Sequence, residues 1–484
     1  MKFVFRVDAT LVLGSGHIMR SMSLAHALHQ RGAEIVFAVL HITEYLKDIL
    51  ILAGYEVKHL PLIAQDDEDA DASATLACTQ EVTAYVLDHY NLGARWELLV
   101  KTHAPVLALD DLGRAHDANW VLDQNFYAQP QMRYVDQLST ETKIFLGPIF
   151  ALLRPEFEEA RRIASVRDKG VRKVLVFLGG MDANNVTSKV LQAIEQSLPL
   201  AIHVTVIAGA SHPTLPWLHD WCARRGNASL HLQVNNMAKY LLAADLAVGA
   251  GGSSTWERCA CGLPSVTLCI ADNQKEVIQE GMRAGFLWGF DAIPEIDDLA
   301  DVLRLLQRSP SLLEHMSQQA LRITDGRGAK RIADILMPRV LEVRVANLND
   351  ARKIYDWRSN PSVQKMSRNS AVFSFEDHCE WLIQSLSNPA RVLLIGQHQQ
   401  TEIGVVRFDI QGSRAEVSIF LAPDQSGEGL GGAFMQAAED YLCSTYPQVR
   451  WVDAWVKDCN QSSMSMFNRL GYITQISCLE KEIA

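Results

Sequence analysis

Residues 12–20 read VLGSGHIMR, which sets His17 and Arg20 three apart behind two glycines, Gly14 and Gly16. The segment follows an apolar run, FVFRVD, that closes on Asp8, so the glycines fall where a strand should hand over to a helix. Glycines there allow a tight turn and a close approach of backbone to ligand. His17, in the first helical turn, would stand at the positive end of the helix dipole, which disfavours imidazolium and leaves a ring able to accept a proton near neutral pH. The chemistry is that of a general base, with Asp8 or Arg20 orienting it. On the residues alone a second reading stays open, in which His17 is a helix-start residue bonded to its own backbone. The spacing is not GxGxxG and no acid closes the second apolar run, which argues against a dinucleotide.

Two more glycine turns carry similar potential. In VGAGGSSTWERCACGLP (248–264), Gly251, Gly252, Ser253 and Ser254 would offer N–H groups and hydroxyls to a diphosphate, and Glu257 lies one turn on, where a carboxylate could accept both hydroxyls of a ribose. A plain Gly/Ser turn with a surface glutamate is the alternative. Gly180 belongs to a comparable turn, LGGMDANN, while IADNQKEV (270–277) puts Asn273 and Gln274 at another helix start facing the same side. Further on, in VSIFLAPDQSGEGLGGAFMQAAEDYL (417–442), Gly427, Gly429, Gly431 and Gly432 sit between a strand and an apolar helix, suited to a second pyrophosphate cradle or to a flexible turn.

Elements of alternating type must position these residues. Phe3–Val7, Ile35–Val39, Ala84–Leu87 and Val106–Leu109 read as buried strands, with helical spacing between them at Ile18–Gln30, Glu44–Ala53 and Arg95–Thr102. The alternation pauses at FLGPIFALLRPEF (145–157) and restarts at RKVLVFLGG (172–180), with strands expected at His203–Ile207, Leu246–Val248 and Ser265–Cys269. This predicts an α/β chain of two doubly wound, Rossmann-like lobes, 1–150 and 151–337, with a ligand cleft at the strand ends. From 338 to 484 the strands are adjacent and hairpin-like (392–395, 403–408, 417–421), followed by a glycine cluster, a helix and a strand at 451–456, which predicts an α+β domain of another kind. The acidic stretch QDDEDADAS (65–73) is expected to be a solvated loop.

Composition narrows the class. With 484 residues the chain is too long for one core. Its net charge of −11, from 45 Lys and Arg against 56 Asp and Glu, gives no footprint for nucleic acid or an anionic membrane. Nine scattered cysteines without a CxxC pair fit reduced thiols, and no long apolar run or signal-peptide core is visible, so a cytoplasmic location is expected.

Five motifs in order, GxGHxxR, DDLGRAHDANWVLDQN (110–125), GPIFALLRPEF, FLGGMDANN and GGSSTWERCACGLP, resemble the nucleotide-sugar hydrolases of pseudaminic acid biosynthesis across about residues 1–335. That family cleaves UDP from UDP-2,4-diacetamido-2,4,6-trideoxy-β-L-altropyranose and is related to the inverting GT-B glycosyltransferases. The resemblance implies a GT-B fold with UDP on the second lobe, and His17 as the catalytic histidine. A base for water and stabilisation of the diphosphate by helix starts would suffice without a metal, and no acidic pair is convincingly placed to hold one. The rival reading is a GT-B glycosyltransferase with an appended acyl-CoA-binding module.

The C-terminal motifs resemble the GCN5-related N-acetyltransferases (GNAT), which implies acetyl-CoA as co-substrate. Against the family's (R/Q)xxGx(G/A) loop, Gly429 and Gly431 match, the Arg/Gln position is Ser426, and Gln425 lies one residue early. NxxSxxxFxxxGY is matched by Asn460, Ser463, Gly471 and Tyr472, with Phe467 where a proton-donating tyrosine often stands, so another group must reprotonate the CoA thiolate. Residues 350–370 resemble the sugar-nucleotide acetyltransferase of the same pathway, with Trp357 and Arg358 as candidate nucleotide-sugar contacts and Glu416 as candidate base. The two resemblances imply consecutive steps, 4-N-acetylation of UDP-4-amino-4,6-dideoxy-N-acetyl-β-L-altrosamine and then hydrolysis, or the equivalent steps on a bacillosamine- or legionaminic-type UDP-sugar. A degenerate C-terminal module that only binds CoA or a partner is the non-enzymatic alternative.

Overall fold

The computed structural model describes residues 1–9, 16–64, 67–180, 182–210, 212–338, 341–366, 373–398, 401–425, 429–457, 460–475 and 478–482. Gly14, Ser426 and Gly427, named above, lie outside the described residues. The chain divides into two compact units, Met1–Met337 and Pro338–Ala484.

Two parallel sheets make the first unit. One contains β1 (Lys2–Val7), β2 (Glu34–Val39), β3 (Glu56–His59), β4 (Ala84–Asp88), β5 (Val106–Leu109), β6 (Trp120–Asp123) and β7 (Lys143–Leu146), in the order 3-2-1-4-5-6-7. The other contains β8 (Lys173–Phe177), β9 (His203–Ala208), β10 (Ala228–Leu232), β11 (Leu246–Ala250), β12 (Ser265–Leu268) and β13 (Trp288–Phe290), in the order 10-9-8-11-12-13. Both orders reverse direction at the first strand of the lobe, so β1/β4 and β8/β11 form the switch points where ligands of such sheets bind. The central strands are apolar on both faces because helices cover both; Phe3, Val4, Phe5 and Val7 are all fully buried. Strands β3, β7 and β10 are only partly buried edge strands, which is why their sequences carry little periodic signal.

Two departures from the sequence reading have clear causes. Residues 68–73 of the acidic stretch belong to a helix, Glu68–Cys78, capped by Asp67, whose side chain accepts from the Ala70 N–H at 3.0 Å. Asp71 of that helix is buried because Arg6, inside β1, requires a counter-ion: Arg6 donates to it at 2.9 and 2.7 Å, and Trp96 Nε1 donates at 2.9 Å. The helix Gly328–Leu336, in the stretch read as second lobe, lays Ala329, Ile332, Ala333 and Leu336 on the core of the first lobe beside Ile18, Leu24 and Leu28. Its apolar stripe at helical spacing needs a cover, and the first lobe supplies it.

The second unit is one mixed sheet, β14 (Glu342–Val345), β15 (Arg391–His398), β16 (Thr401–Gln411), β17 (Arg414–Leu421), β18 (Trp451–Ala454), β19 (Ile473–Gln475) and β20 (Cys478–Glu482), in the order 14-15-16-17-18-20-19. All of its pairs are antiparallel except β17 with β18. No helix among the described residues is long and apolar enough to cross a membrane.

Candidate active sites

Helix α1 (Gly16–His29) begins at the carboxyl edge of the first sheet, with His17 as its second residue. His17 Nδ1 lies 2.5 Å from Asp88 Oδ1, at the end of β4. Arg20, one turn along α1, donates to the same carboxylate from Nε at 2.7 Å and from a terminal nitrogen at 2.6 Å, and to Asp111 at 2.6 Å with its other terminal nitrogen. Ser21 Oγ adds a fourth donor to Asp88 at 3.2 Å. Burial alone would push the Asp88 carboxyl up, but Arg20 and His17 outweigh it and hold it below the ordinary carboxylate range. An ionised Asp88 against Nδ1 fixes the tautomer: Nδ1 carries the hydrogen and Nε2 keeps its lone pair for a proton. Tyr90 stands edge-on to the imidazole with centroids 4.5 Å apart, and Asn273 of the second lobe donates to its hydroxyl at 3.3 Å.

The expected role of Asp8 is corrected here. Its carboxylate accepts from Arg6 at 2.8 Å and from the Leu40 and His41 N–H groups at 2.7 and 3.1 Å, and it lies 3.3 Å from His89 Nε2, with no bond to His17. A guanidinium inside the strand claims it first. The carboxylate that orients His17 is Asp88, one strand over. The sequence held a signal for it, since AYVLD ends on an acid as FVFRVD does, and in the parallel register Val7 pairs with Asp88. Arg20 holds Asp88 and also stands beside the imidazole itself, with a terminal nitrogen 3.2 Å from His17 Nδ1.

The second-lobe turn connects β11 to the short helix α2 (Ser254–Ala260). Gly251 has no room for a side chain, because a Cβ there would come 2.7 Å from Ile278 Cδ1. Gly252 is half-buried, Ser253 is exposed with no side-chain cap bond, and Ser254 accepts from Arg258 at 3.2 Å. Gln274 is spent on the fold: its Oε1 accepts from the Gly251 N–H at 3.3 Å and the Ile270 N–H at 3.1 Å, bracing the turn from behind. Glu257 faces Arg154, which donates at 3.2 Å; burial lifts this carboxyl above its ordinary range against the pull of that arginine. At the Gly180 turn a carboxylate competes for the helix start. Asp182 accepts from the Val186 and Thr187 N–H groups at 2.9 and 2.8 Å, so the helix start that was to hold an anion already holds a carboxylate. Gly180 itself packs its carbonyl against Gly209, where a Cβ would come within 2.0 Å.

A separate ionic cluster stabilises the first lobe. His116 is buried with Nδ1 2.7 Å from Glu97 and Nε2 3.5 Å from Asp110. Burial opposes its charge, but Asp110 and Glu97 outweigh burial and raise it to about 9. A cation raised above its unfolded value near 6.5 contributes stability that is complete below that pH and lost as pH climbs through about 9. Urea unfolding followed by tryptophan fluorescence should therefore show a higher midpoint at pH 6 than at pH 9, and His116→Gln should flatten the difference.

In the second unit β17 and β18 are paired only from Arg414–Trp451 to Val417–Ala454, after which β17 runs on to Leu421 bonded to β16 alone. That leaves one edge of residues 418–421 unpaired by β18, ahead of α3 (Leu430–Thr445). Gly429 takes the left-handed conformation at φ 78°, which favours glycine, and Gly431 faces Met466 Sδ at 3.1 Å from a hypothetical Cβ. Gln425 ends a short turn with its N–H on the Ala422 carbonyl at 2.9 Å, and Gly432 lies within the first turn of α3. Asn460 caps the helix α4 (Gln461–Arg469), accepting from the Ser463 N–H at 3.2 Å. Phe467 is buried in the core, edge-on to Tyr472, whose hydroxyl donates to Glu439 at 2.6 Å. Trp357 is partly buried against Ile354 and Leu382, as an amphipathic helix would place it, and Arg358 lies over the rings of Phe373 and Trp381.

Residues 341–473 match the acetyltransferase (GNAT) domain family. The chain is 24% identical over 289 residues to the UDP-2,4-diacetamido-2,4,6-trideoxy-β-L-altropyranose hydrolase of Campylobacter jejuni, covering 59% of this chain and 98% of that protein. It is also 24% identical over 336 residues to the spore coat polysaccharide biosynthesis protein SpsG of Bacillus subtilis, covering 67% and 94%. Among solved structures, MurG of Acinetobacter baumannii aligns with a TM-score of 0.52 at 15% identity, over 69% of this chain and 99% of that one, which establishes a shared GT-B fold. The chain thus joins a region homologous to the altropyranose hydrolase to a GNAT acetyltransferase domain.

Proposed function

We propose that this fused chain catalyses two consecutive reactions on one UDP-sugar: acetyl transfer from acetyl-CoA to the 4-amino group of UDP-4-amino-4,6-dideoxy-N-acetyl-β-L-altrosamine, then hydrolysis of the resulting UDP-2,4-diacetamido-2,4,6-trideoxy-β-L-altropyranose. The observation that carries the hydrolytic half is the Asp88–His17 pair, 2.5 Å apart at a sheet switch point. Nε2 of His17 takes a proton from water as the water oxygen attacks the anomeric carbon, while the bond to the UDP oxygen breaks and that oxygen keeps the electron pair. Attack from the face opposite UDP inverts the anomeric centre. The Gly251–Ser254 turn, with Gly16 at the head of α1, receives the diphosphate, Glu257 the ribose, and Asn273 the sugar side of the cleft; no step requires a divalent cation. The acetyl half is supported by the family match and by the unpaired edge of β17 beside Gly429, Gly431 and Gly432, which would hold the pantetheine and pyrophosphate of acetyl-CoA. Phe467 has no proton to give, so water reprotonates the leaving thiolate in this reading.

The test uses the purified full chain, the synthetic UDP-amino-sugar and acetyl-CoA, with no acceptor alcohol and with EDTA present. Free CoA thiol should appear first, and then UDP in equal amount. Thiol without UDP would overturn the hydrolase reading in favour of a glycosyltransferase that waits for an acceptor; UDP without thiol would reduce the second unit to a binding module.

A further inference from the structure

Arg258 is buried to 3% exposure beneath the glycine turn, and its partners among the described residues are neutral oxygens only. Its terminal nitrogens donate to Ser254 Oγ at 3.2 Å, the Ala250 carbonyl at 3.0 Å, Thr255 Oγ1 at 3.0 Å and Thr267 Oγ1 at 3.2 Å, while its Nε has no partner. The neighbouring carboxylate, Glu257, turns to Arg154 instead. Burial therefore pulls this guanidinium down to about 10, against the weaker pull of Cys259 and Glu257. An enclosed cation without a counter-ion is costly to keep, and the backbone has been shaped to keep it: Gly249 lies so close that a Cβ would come 2.7 Å from the guanidinium.

We infer that Arg258 is a positioning residue for the diphosphate, which completes its missing counter-charge through the hydroxyl of Ser254. Arginine has no acceptor, so Ser254 Oγ must take a hydrogen from it and direct its own O–H away. Ser254 is half-buried at the start of α2, and its O–H donates to no acceptor among the described residues, which leaves it available to a ligand at the turn. Carrying a donor charge behind a hydroxyl strengthens the hydroxyl as a phosphate ligand without bringing a mobile side chain to the ligand. This inference rests on the reading above that UDP occupies the turn.

Titration calorimetry of the full chain with UDP, UMP and uridine separates the two. Arg258→Met should weaken UDP by about 10- to 100-fold and leave uridine within about twofold, with Arg258→Lys in between. A merely structural arginine would lower UDP and uridine together, and that result, or unchanged UDP affinity, overturns the inference. Should Arg258→Met not fold, Ser254→Ala decides: it should weaken UDP severalfold and spare uridine, and equal effects on both would sink the idea. Failure of the wild-type chain to bind UDP would bring down the underlying reading first and this inference with it.

Discussion

His17→Ala is expected to lower UDP release by roughly 10²- to 10⁴-fold, the range that a positioned general base supplies. In the proposed mechanism the imidazole meets water and the reacting carbon while glycine turns receive the diphosphate, so the loss should fall on kcat. Acetyl transfer should survive intact, since His17 and the GNAT domain belong to separate compact units. Single-turnover UDP release and CoA thiol release, measured on the same preparation, test both halves. Near-normal UDP release by the variant would remove the imidazole from the mechanism.

Asp88→Asn is expected to cost nearly as much. The amide is close in size to the carboxylate and leaves the helix in place, but it carries no charge and presents an N–H₂ group. If that group faces Nδ1, the hydrogen of the imidazole moves to Nε2, where the lone pair is needed; loss of a carboxylate behind a catalytic imidazole costs up to about 10⁴-fold in serine proteases for this reason. Arg20, which spends two of its bonds on Asp88, would be left with Asp111 as its remaining carboxylate. Asp8→Asn should leave UDP release within a fewfold of wild type and act on stability instead, because its partners are Arg6, His89 and the backbone at residues 40 and 41. Equal losses in turnover for the Asp8 and Asp88 variants would show that the orienting role is misplaced.

Part of the candidate site is legible in the sequence. A histidine after a strand-ending glycine turn, and a Gly-Gly-Ser-Ser turn ahead of a glutamate, are local patterns whose meaning depends on a few adjacent residues. The partner of His17 was not visible, because Asp88 is 71 residues away and becomes a neighbour only when β4 pairs beside β1. Asp8 was the plausible choice by proximity in sequence, yet strand alternation turns Arg6 and Asp8 to the same side and ties them together. The acidic stretch misled for the same kind of reason. Composition reports solvation on average, whereas Asp71 is buried against Arg6 and Trp96 from other elements. Gly180 shows the converse: beside a turn with the right residues for an anion, Asp182 already takes two of the helix-start N–H groups.

The sequence by itself determined the central strands, most of the helices between them and the layered α/β fold they imply, because hydrophobic periodicity and glycine turns act over a few residues and survive in any context. Tertiary structure alone decided which carboxylate meets the imidazole, which helix start Asp182 occupies, where Gln274 spends its side chain, and that Arg258 is a buried cation without an acid. Each of those is a competition among charges and donors brought together from distant strands, and only the folded register decides which partner is within 3 Å.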